Sequence, residues 1–598
     1  MASAKVASAA GLLLAASASW ALAGSVRGQP MRAYFLEWLP AQSEEELLSR
    51  LQAVRRQGYN SVVTNGRYHF RFEYLDRWPE LAAGLARLTK LAHAEGLRVY
   101  DHHSAVLVPT ANLSQPLADG GTLRDLLQVN ADTGEPSQVK PDWAWWICHN
   151  NPRYRELYFA YLRLVFTQAP MDGLMCDDIE HLPDERACAC RYCRERFRSL
   201  TGQDLPAWGD QSFWFNPESA LWRQWVRARQ TSVGGFYKLV KAELGRLRPG
   251  APLFACQCDA LGSGLATTWA LADEFIDPAM DIRFWEDLGA SEPDPVKAWR
   301  GALPQLLYLE DLGGIRKPTL HLPYAHEEGF TARSWAFDRL IGAWTCAFDG
   351  AACGPYMQQF VEDPPGPPEV RVAVVYSANS RDLRTAEGHV ASAQAWAPAL
   401  LGAHADLAFL DDARLERSSS LAPYRLIVLP KVVCLSARAV SNLRAALKRG
   451  AHLAFTDDSG RYDETGAPRT TGGLTNLLGE SRGVRLIPAA PAADREATDL
   501  LRWSDAPPLV SVAGGRRALW RLYRCGGGRY QLRTIQPAGQ LNDRWLIRVR
   551  RADILDANLQ RTTGAPLALT VHGGRAEVPA GALTYYGQLD ITVRTSGA

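Results

Sequence analysis

The chain has 598 residues, and at roughly 100–200 residues per domain that implies three or four domains. Apolar residues make up 47% and charged residues 22%, as in ordinary packed globular protein. With 66 Lys and Arg against 64 Asp and Glu the net charge is +2, and there is no basic tail or single-sign patch, so nothing points to nucleic acid as a partner.

The N-terminus reads as an export signal. Lys5 supplies a short positive region, residues 6–22 are apolar or small around Leu12-Leu13-Leu14, and Ala21-Leu22-Ala23 fits small-x-small cleavage. Residues 1–23 are therefore expected to be a signal peptide, and the mature chain is expected in the periplasm or outside the cell. An uncleaved N-terminal anchor is the alternative. No later stretch holds 18 unbroken apolar residues, so no stable span is expected after cleavage.

From residue 31 to about 362 short apolar strands alternate with helical patterns, the signature of βα units. Strands are expected at 33–38, 61–65, 98–103, 173–179, 253–258, 280–285, 319–324 and 351–356. Amphipathic helices are expected at 43–57, 79–95, 153–168, 221–247 and 332–346. Ser43 and Glu46 form a capping box at the first of these. Eight such units predict a (β/α)8 TIM barrel with loop insertions. A stiff Pro-rich segment at 362–368 marks the boundary to a second α/β domain, at 369–485. Its four strands predict a flavodoxin-like sheet. Short alternating strands and Gly-rich turns from 486 to the end predict a small β-sandwich.

Barrel enzymes build their sites at the C-terminal ends of the strands. Polar groups recur there in this sequence: Glu37; Asn65 with Arg67 and His69; Asp101, His102 and His103; Asp177, Asp178 and Glu180; Gln257; Glu286; His321. Ionisable groups ending buried strands are costly unless they line a pocket. Glu37, Asn65, His102, His103, Asp177, Glu286 and His321 are thus candidates to bind substrate, with alternation allowing only one of the two adjacent histidines into the mouth. If the fourth strand continued, Asp178 and Glu180 would share a face with Asp177 opposite. Two carboxyl groups are what glycosidic hydrolysis needs, one as acid and one as nucleophile or base. The 19 Trp add faces suited to sugar rings as well as to large cores. A catalytic metal at His102 or His103 is a third reading of this mouth.

Cys188, Cys190 and Cys193 form a C-x-C-x2-C run that can place three thiolates around one tetrahedral ion, with Cys148 the best fourth ligand. Disulfides are the competing reading in an oxidising compartment.

These features together resemble glycoside hydrolase family 42, the β-galactosidases. The segment Asp177-Asp178-Ile179-Glu180 stands where that family carries its acid/base, followed by the cysteine run and Arg196-Phe197-Arg198. Cys148-His149-Asn150-Asn151-Pro152-Arg153-Tyr154-Arg155 matches the context of the family's upstream zinc ligand. The resemblance implies a retaining hydrolase of a glycan or oligosaccharide with Asp178 or Glu180 as acid/base. It implies structural zinc at the four cysteines, no organic cofactor, and a homotrimer assembled through the second domain. The family's nucleophile ends strand seven. Here that strand is followed by Tyr324-Ala325-His326-Glu327-Glu328, which makes Glu327 the expected nucleophile, with Glu286 and Asp281 in reserve. The absence of a Glu on the strand itself supports a different class of function, an inactive carbohydrate-binding or scaffold barrel.

Overall fold

The computed structural model describes residues 30–595 apart from 137, 141–142, 182–184, 258–259, 263, 326, 349–363, 471–472, 480, 514–517, 537–543, 562–564 and 583–585. The expected signal peptide and the expected strand at 351–356 lie outside the described residues. Among the described residues no helix is long and apolar enough to cross a membrane.

Eight parallel strands build the first domain: β1 (Ala33–Glu37), β2 (Ser61–Asn65), β3 (Arg98–Ser104), β4 (Gly173–Asp177), β5 (Leu253–Phe254), β6 (Arg283–Asp287), β7 (Thr319–Pro323) and β8 (Trp344–Phe348). Hydrogen bonding runs β5-β4-β3-β2-β1-β8-β7-β6, and a parallel bridge between Cys256 and Phe284 joins the two outer strands. The ring is a TIM barrel. Phe35, Val63, Tyr100, Met175, Phe284 and Leu322 face its centre in one buried cluster. The alternate residues of each strand face the surrounding helices.

The long helices are α1 (Glu44–Arg56), α2 (Trp78–Ala94), α3 (Pro152–Gln168), α4 (Arg191–Thr201), α5 (Ala220–Leu247), α6 (Pro295–Asp311) and α7 (Glu328–Ile341). The capping box at α1 forms: Ser43 accepts from the Glu46 amide at 3.2 Å and the Glu46 carboxylate accepts from the Ser43 amide at 3.1 Å. Leu47, Leu51 and Val54 then bury one stripe of α1.

The eighth strand corrects the sequence reading, which carried a helix through to 346. α7 ends at Gly342, whose φ of 86° is left-handed, and the apolar run Trp344–Phe348 then enters the sheet. Glycine meets that conformation without steric penalty, so it terminates the helix.

In the second domain β9 (Val372–Val375), β10 (Leu407–Leu410), β11 (Leu426–Leu429), β12 (His452–Phe455) and β13 (Val484–Leu486) pair in parallel in the order β10-β9-β11-β12-β13. This is the flavodoxin-like order. A helix at Asp494–Trp503, where strands were expected, packs on the helix His389–Gly402 and buries Ala497, Leu500 and Leu501. Two antiparallel sheets of four and five strands follow and share one apolar core, a β-sandwich.

Behind β3 a buried polar network holds the barrel wall. Asp101 Oδ1 accepts from Arg71 at 2.6 Å and from the Thr64 hydroxyl at 3.2 Å, while Oδ2 accepts from His103 Nδ1 at 2.9 Å and from the Tyr161 hydroxyl at 3.2 Å. Burial alone would push the Asp101 carboxyl up, but Arg71 and His103 hold it well below the usual carboxylate range. Removing one member of a buried ion pair strands the other charge, at about 3–5 kcal/mol. Asp101→Asn should therefore lower the unfolding free energy by about that amount at pH 7, read from urea denaturation; a loss under about 1 kcal/mol would mean that Arg71 finds water in the fold.

Candidate active site

Alternation fixes which polar groups enter the mouth. On each strand the residue two beyond an inward apolar one also points inward. Phe35 leads to Glu37, Val63 to Asn65, Tyr100 to His102, Met175 to Asp177, Phe284 to Glu286 and Leu322 to Tyr324. Glu37 is exposed at the rim, Asn65 and Glu286 are half-buried, and His102 is buried. Glu286 accepts a hydrogen bond from the Tyr324 hydroxyl at 3.1 Å.

Around β4 the chain departs from simple alternation. The strand stops at Asp177, and Asp178 takes φ 60°, a left-handed conformation that aspartate tolerates better than most residues. The expected shared face of Asp178 and Glu180 therefore does not extend beyond the strand, and Asp177 faces inward instead. Asp177 Oδ2 lies 3.4 Å from His102 Nε2, and Asp178 Oδ2 lies 3.8 Å from His69 Nε2. The rings of His69 and His102 are 4.4 Å apart. Glu180 is only 5% exposed, and its backbone carbonyl accepts from Gln128 Nε2 at 2.9 Å. Burial, and then the like charges of Asp178 and Asp177, push its carboxyl well above the usual range.

Other candidates lie away from the mouth. His103 is on the outward face of β3 in the Asp101 network, where burial pushes its imidazole down to about 4 against the pull of Asp101. His321 is outward on β7, stacked on Trp285, with Nδ1 2.6 Å from Asp338 on α7 and Nε2 3.7 Å from Asp287. Asp281 accepts from the Leu253 amide at 2.7 Å at the opposite, N-terminal end of the barrel. Glu327 is an exposed residue at the start of α7. Tyr324 went without a role in the sequence reading, although its phase with Leu320 and Leu322 could have placed it. His69 stood only as a polar neighbour, because it sits on the turn Arg67–His69 and not on a strand.

The four cysteines converge. Cys148 Sγ lies 3.5 Å from Cys193 Sγ and 3.6 Å from Cys190 Sγ, and all four sulfurs are within 4.8 Å of one another. Zinc–sulfur bonds of about 2.3 Å set a tetrahedron with edges of about 3.8 Å, so the donor set fits one such ion. Asn150 Nδ2 and the Val129 amide donate to Cys193 and Cys188 at 3.2 and 3.5 Å, as backing groups of thiolate ligands do. In the long insertion after β4, which carries α4 and leads into α5, the aromatic residues pack on one another: Phe213, Trp214, Trp222 and Trp225 form a buried cluster with Phe197.

A cavity of about 550 Å3 lies elsewhere, between residues such as Asp277, Lys317 and Pro318 and the second domain's Asn379 and Asp412. It borders the N-terminal ends of β6 and β7, the face that barrel enzymes use for stability and not for chemistry. The mouth is accordingly the candidate site.

No protein-family model and no curated protein matches the sequence. Solved structures do. The β-galactosidase of Bacillus circulans sp. alkalophilus superposes with a TM-score of 0.65 at 13% identity over 94% of this chain and 99% of that one. The chain has the GH42 β-galactosidase fold. The cold-adapted β-galactosidase of Rahnella sp. R3 gives 0.68 at 12% identity over 95% and 98%. An α-L-fucosidase isoenzyme of Paenibacillus thiaminolyticus gives 0.62 at 12% over 95% and 100%. The likeness thus spans all three domains and reaches beyond one sugar specificity.

The His321 pair makes stability depend on pH. Burial would push this imidazole down, but Asp338 and Asp287 outweigh it and raise it to about 9. A folded value above the unfolded 6.5 means stability present in full below about pH 6.5 and lost as pH rises through 9. The unfolding free energy should fall by up to about 3 kcal/mol across that window, with a flatter slope in His321→Gln. Parallel slopes in the two proteins would remove His321 as the cause.

Proposed function

We propose that the protein is an exported glycoside hydrolase acting on a glycan or oligosaccharide through Glu180 and Glu286. The observation that carries this is the contrast between the two carboxyl groups. Glu180 is buried, and burial and two nearby carboxylates push its carboxyl up toward the protonated form that a general acid needs. Glu286 is half-exposed on the inward face of β6 and oriented by the Tyr324 hydroxyl, as a nucleophile or general base must be. Placement on a rigid strand favours Glu286 over the exposed Glu327.

In this reading Glu180 protonates the glycosidic oxygen while Glu286 attacks the anomeric carbon directly or activates a water. Direct attack gives retention and water activation gives inversion, so the anomer of the first-formed product distinguishes the two. Burial, and then the like charges of Asp178 and Asp177, favour the protonated form of Glu180. Asn65 and Glu37 at the rim are placed to meet sugar hydroxyls. A structural zinc at Cys148, Cys188, Cys190 and Cys193 would pin the insertion beside the mouth, and four thiolates leave it no open position for water. By likeness of fold the second domain would carry trimer assembly; a monomer in sedimentation velocity would count against this.

The test is turnover of a panel of aryl glycosides and of natural oligosaccharides. Glu180→Gln should lose about 10²–10⁴-fold in kcat/KM on natural substrates and much less on dinitrophenyl glycosides, whose leaving group needs no proton. Its alkaline limb should vanish, because that limb reports loss of the acid's proton. Glu286→Gln should lose activity on both substrate types. Wild-type silence across the panel with saturable glycan binding would replace the enzyme with a binding barrel.

A separate measurement addresses the cysteines. Cys148→Ser should lower the zinc content of the purified protein by one equivalent and lower its Tm; unchanged zinc content would mean that the four sulfurs do not hold the ion.

A further inference from the structure

The mouth holds a second group of potential ligands that the two-carboxylate reading does not use. One ligand atom each from His69, His102 and Asp177 lies within 4.8 Å of the others. His102 and Asp177 stand on β3 and β4 and His69 on the short turn Arg67–His69 that follows β2, so three successive strands bring them together without any long loop. His102 is the informative member. Its Nδ1 lies 3.1 Å from the Thr64 carbonyl oxygen, an acceptor only, so Nδ1 must carry a hydrogen and donate it. In the neutral ring that leaves a lone pair on Nε2, and Nε2 faces the Asp177 carboxylate at 3.4 Å. A lone pair against a carboxylate oxygen is repulsive unless a positive centre lies between them.

The backing of His102 is that of a metal ligand. An imidazole that binds a metal through one nitrogen commonly donates the other N–H to a backbone carbonyl or carboxylate, which fixes its tautomer and orientation. The Thr64 carbonyl supplies that partner, and the Thr64 hydroxyl accepts from the His102 amide at 2.9 Å while donating to Asp101. The 3.4 Å between His102 Nε2 and Asp177 Oδ2 equals the edge of a tetrahedron with metal–ligand bonds of about 2.1 Å. His69 adds a buried Nδ1 that has no hydrogen-bond partner among the described residues. Its side chain is 16% exposed, and those of His102 and Asp177 are 7% and 15% exposed, so the group is reached from the mouth and not sealed off.

We propose that His69, His102 and Asp177 bind a divalent transition-metal ion at the barrel mouth. Two imidazoles and a carboxylate with no sulfur suit zinc, manganese or ferrous iron. Three protein ligands leave coordination positions open, which distinguishes this site from the four-thiolate cluster. The open positions can take water or substrate oxygens such as a vicinal diol. Asp178, 3.8 Å from His69 Nε2, stands beside the site as a further oxygen donor. The proposal concerns metal binding alone and does not depend on Glu180 or Glu286 being catalytic.

The test uses the full mature chain, stripped of metal and reloaded separately with Zn(II) and with Co(II). Zinc per chain after desalting should be one equivalent higher in wild type than in His102→Ala, and likewise higher than in Asp177→Asn, which serves if the alanine variant fails to fold. This difference is independent of what the cysteines hold. With Co(II), the thiolate cluster gives intense sulfur-to-metal charge transfer, and the mouth should add only weak visible bands that both variants lack. Equal zinc content in wild type and both folded variants, with identical cobalt spectra, overturns the proposal and leaves a proton on His102 Nε2 as the charge between the ring and Asp177.

Discussion

The arrangement of the mouth depends on one buried carboxylate that never reaches it. Asp101 lies on the outward face of β3 and takes hydrogen bonds from Arg71, His103, Tyr161 and Thr64. Thr64 is the link to the site. Its hydroxyl spends its hydrogen on Asp101 and its lone pairs on the His102 amide, while its carbonyl receives His102 Nδ1. Thr64 thereby links one charge behind the sheet to a ring in front of it, whose tautomer its carbonyl sets. A buried charge is expensive unless fully paired, so this network has little freedom to rearrange.

The same economy explains why so many polar groups sit at the ends of these strands. A barrel interior is filled by apolar side chains in layers, and the last inward position of each strand is where filling stops and solvent begins. Glu37, Asn65, His102, Asp177, Glu286 and Tyr324 occupy that position. Outward polar residues one step away are different in kind. His103, Asp287 and His321 have their partners within the wall, and their charges serve packing between sheet and helices.

Much of this was legible from residue order alone. The barrel, the flavodoxin-like sheet and the closing sandwich follow from apolar periodicity and turn chemistry, and β2 was read to the residue. The eighth strand escaped because Trp344–Phe348 continues the apolar pattern of the helix before it, and only Gly342 separates them. The phase of the strand-four carboxylates escaped because alternation holds only while the strand lasts, and Asp178 breaks it with a positive φ that no local pattern announces. His321 was a strand-end polar residue in sequence and a wall residue in space, since a one-residue change of phase exchanges the two faces. Glu327 failed to reach a strand because the chain turns into α7 there. Cys188, Cys190 and Cys193 were legible because C-x-C-x2-C is a local constraint, and Cys148, 40 residues before Cys188, was named from its sequence context and stands within reach of the other three sulfurs.

The shift of the second proposed carboxylate from strand seven to strand six follows from barrel geometry. Adjacent parallel strands are about 4.8 Å apart, and a glutamate side chain spans about as much. A carboxylate on the inward end of β6 can therefore reach the space served by the end of β7, provided something holds it there. Tyr324, the inward residue that follows β7, does so with its hydroxyl. Glu286 and Tyr324 thus come from the ends of two neighbouring strands, one bearing a carboxylate and the other a hydroxyl that donates to it.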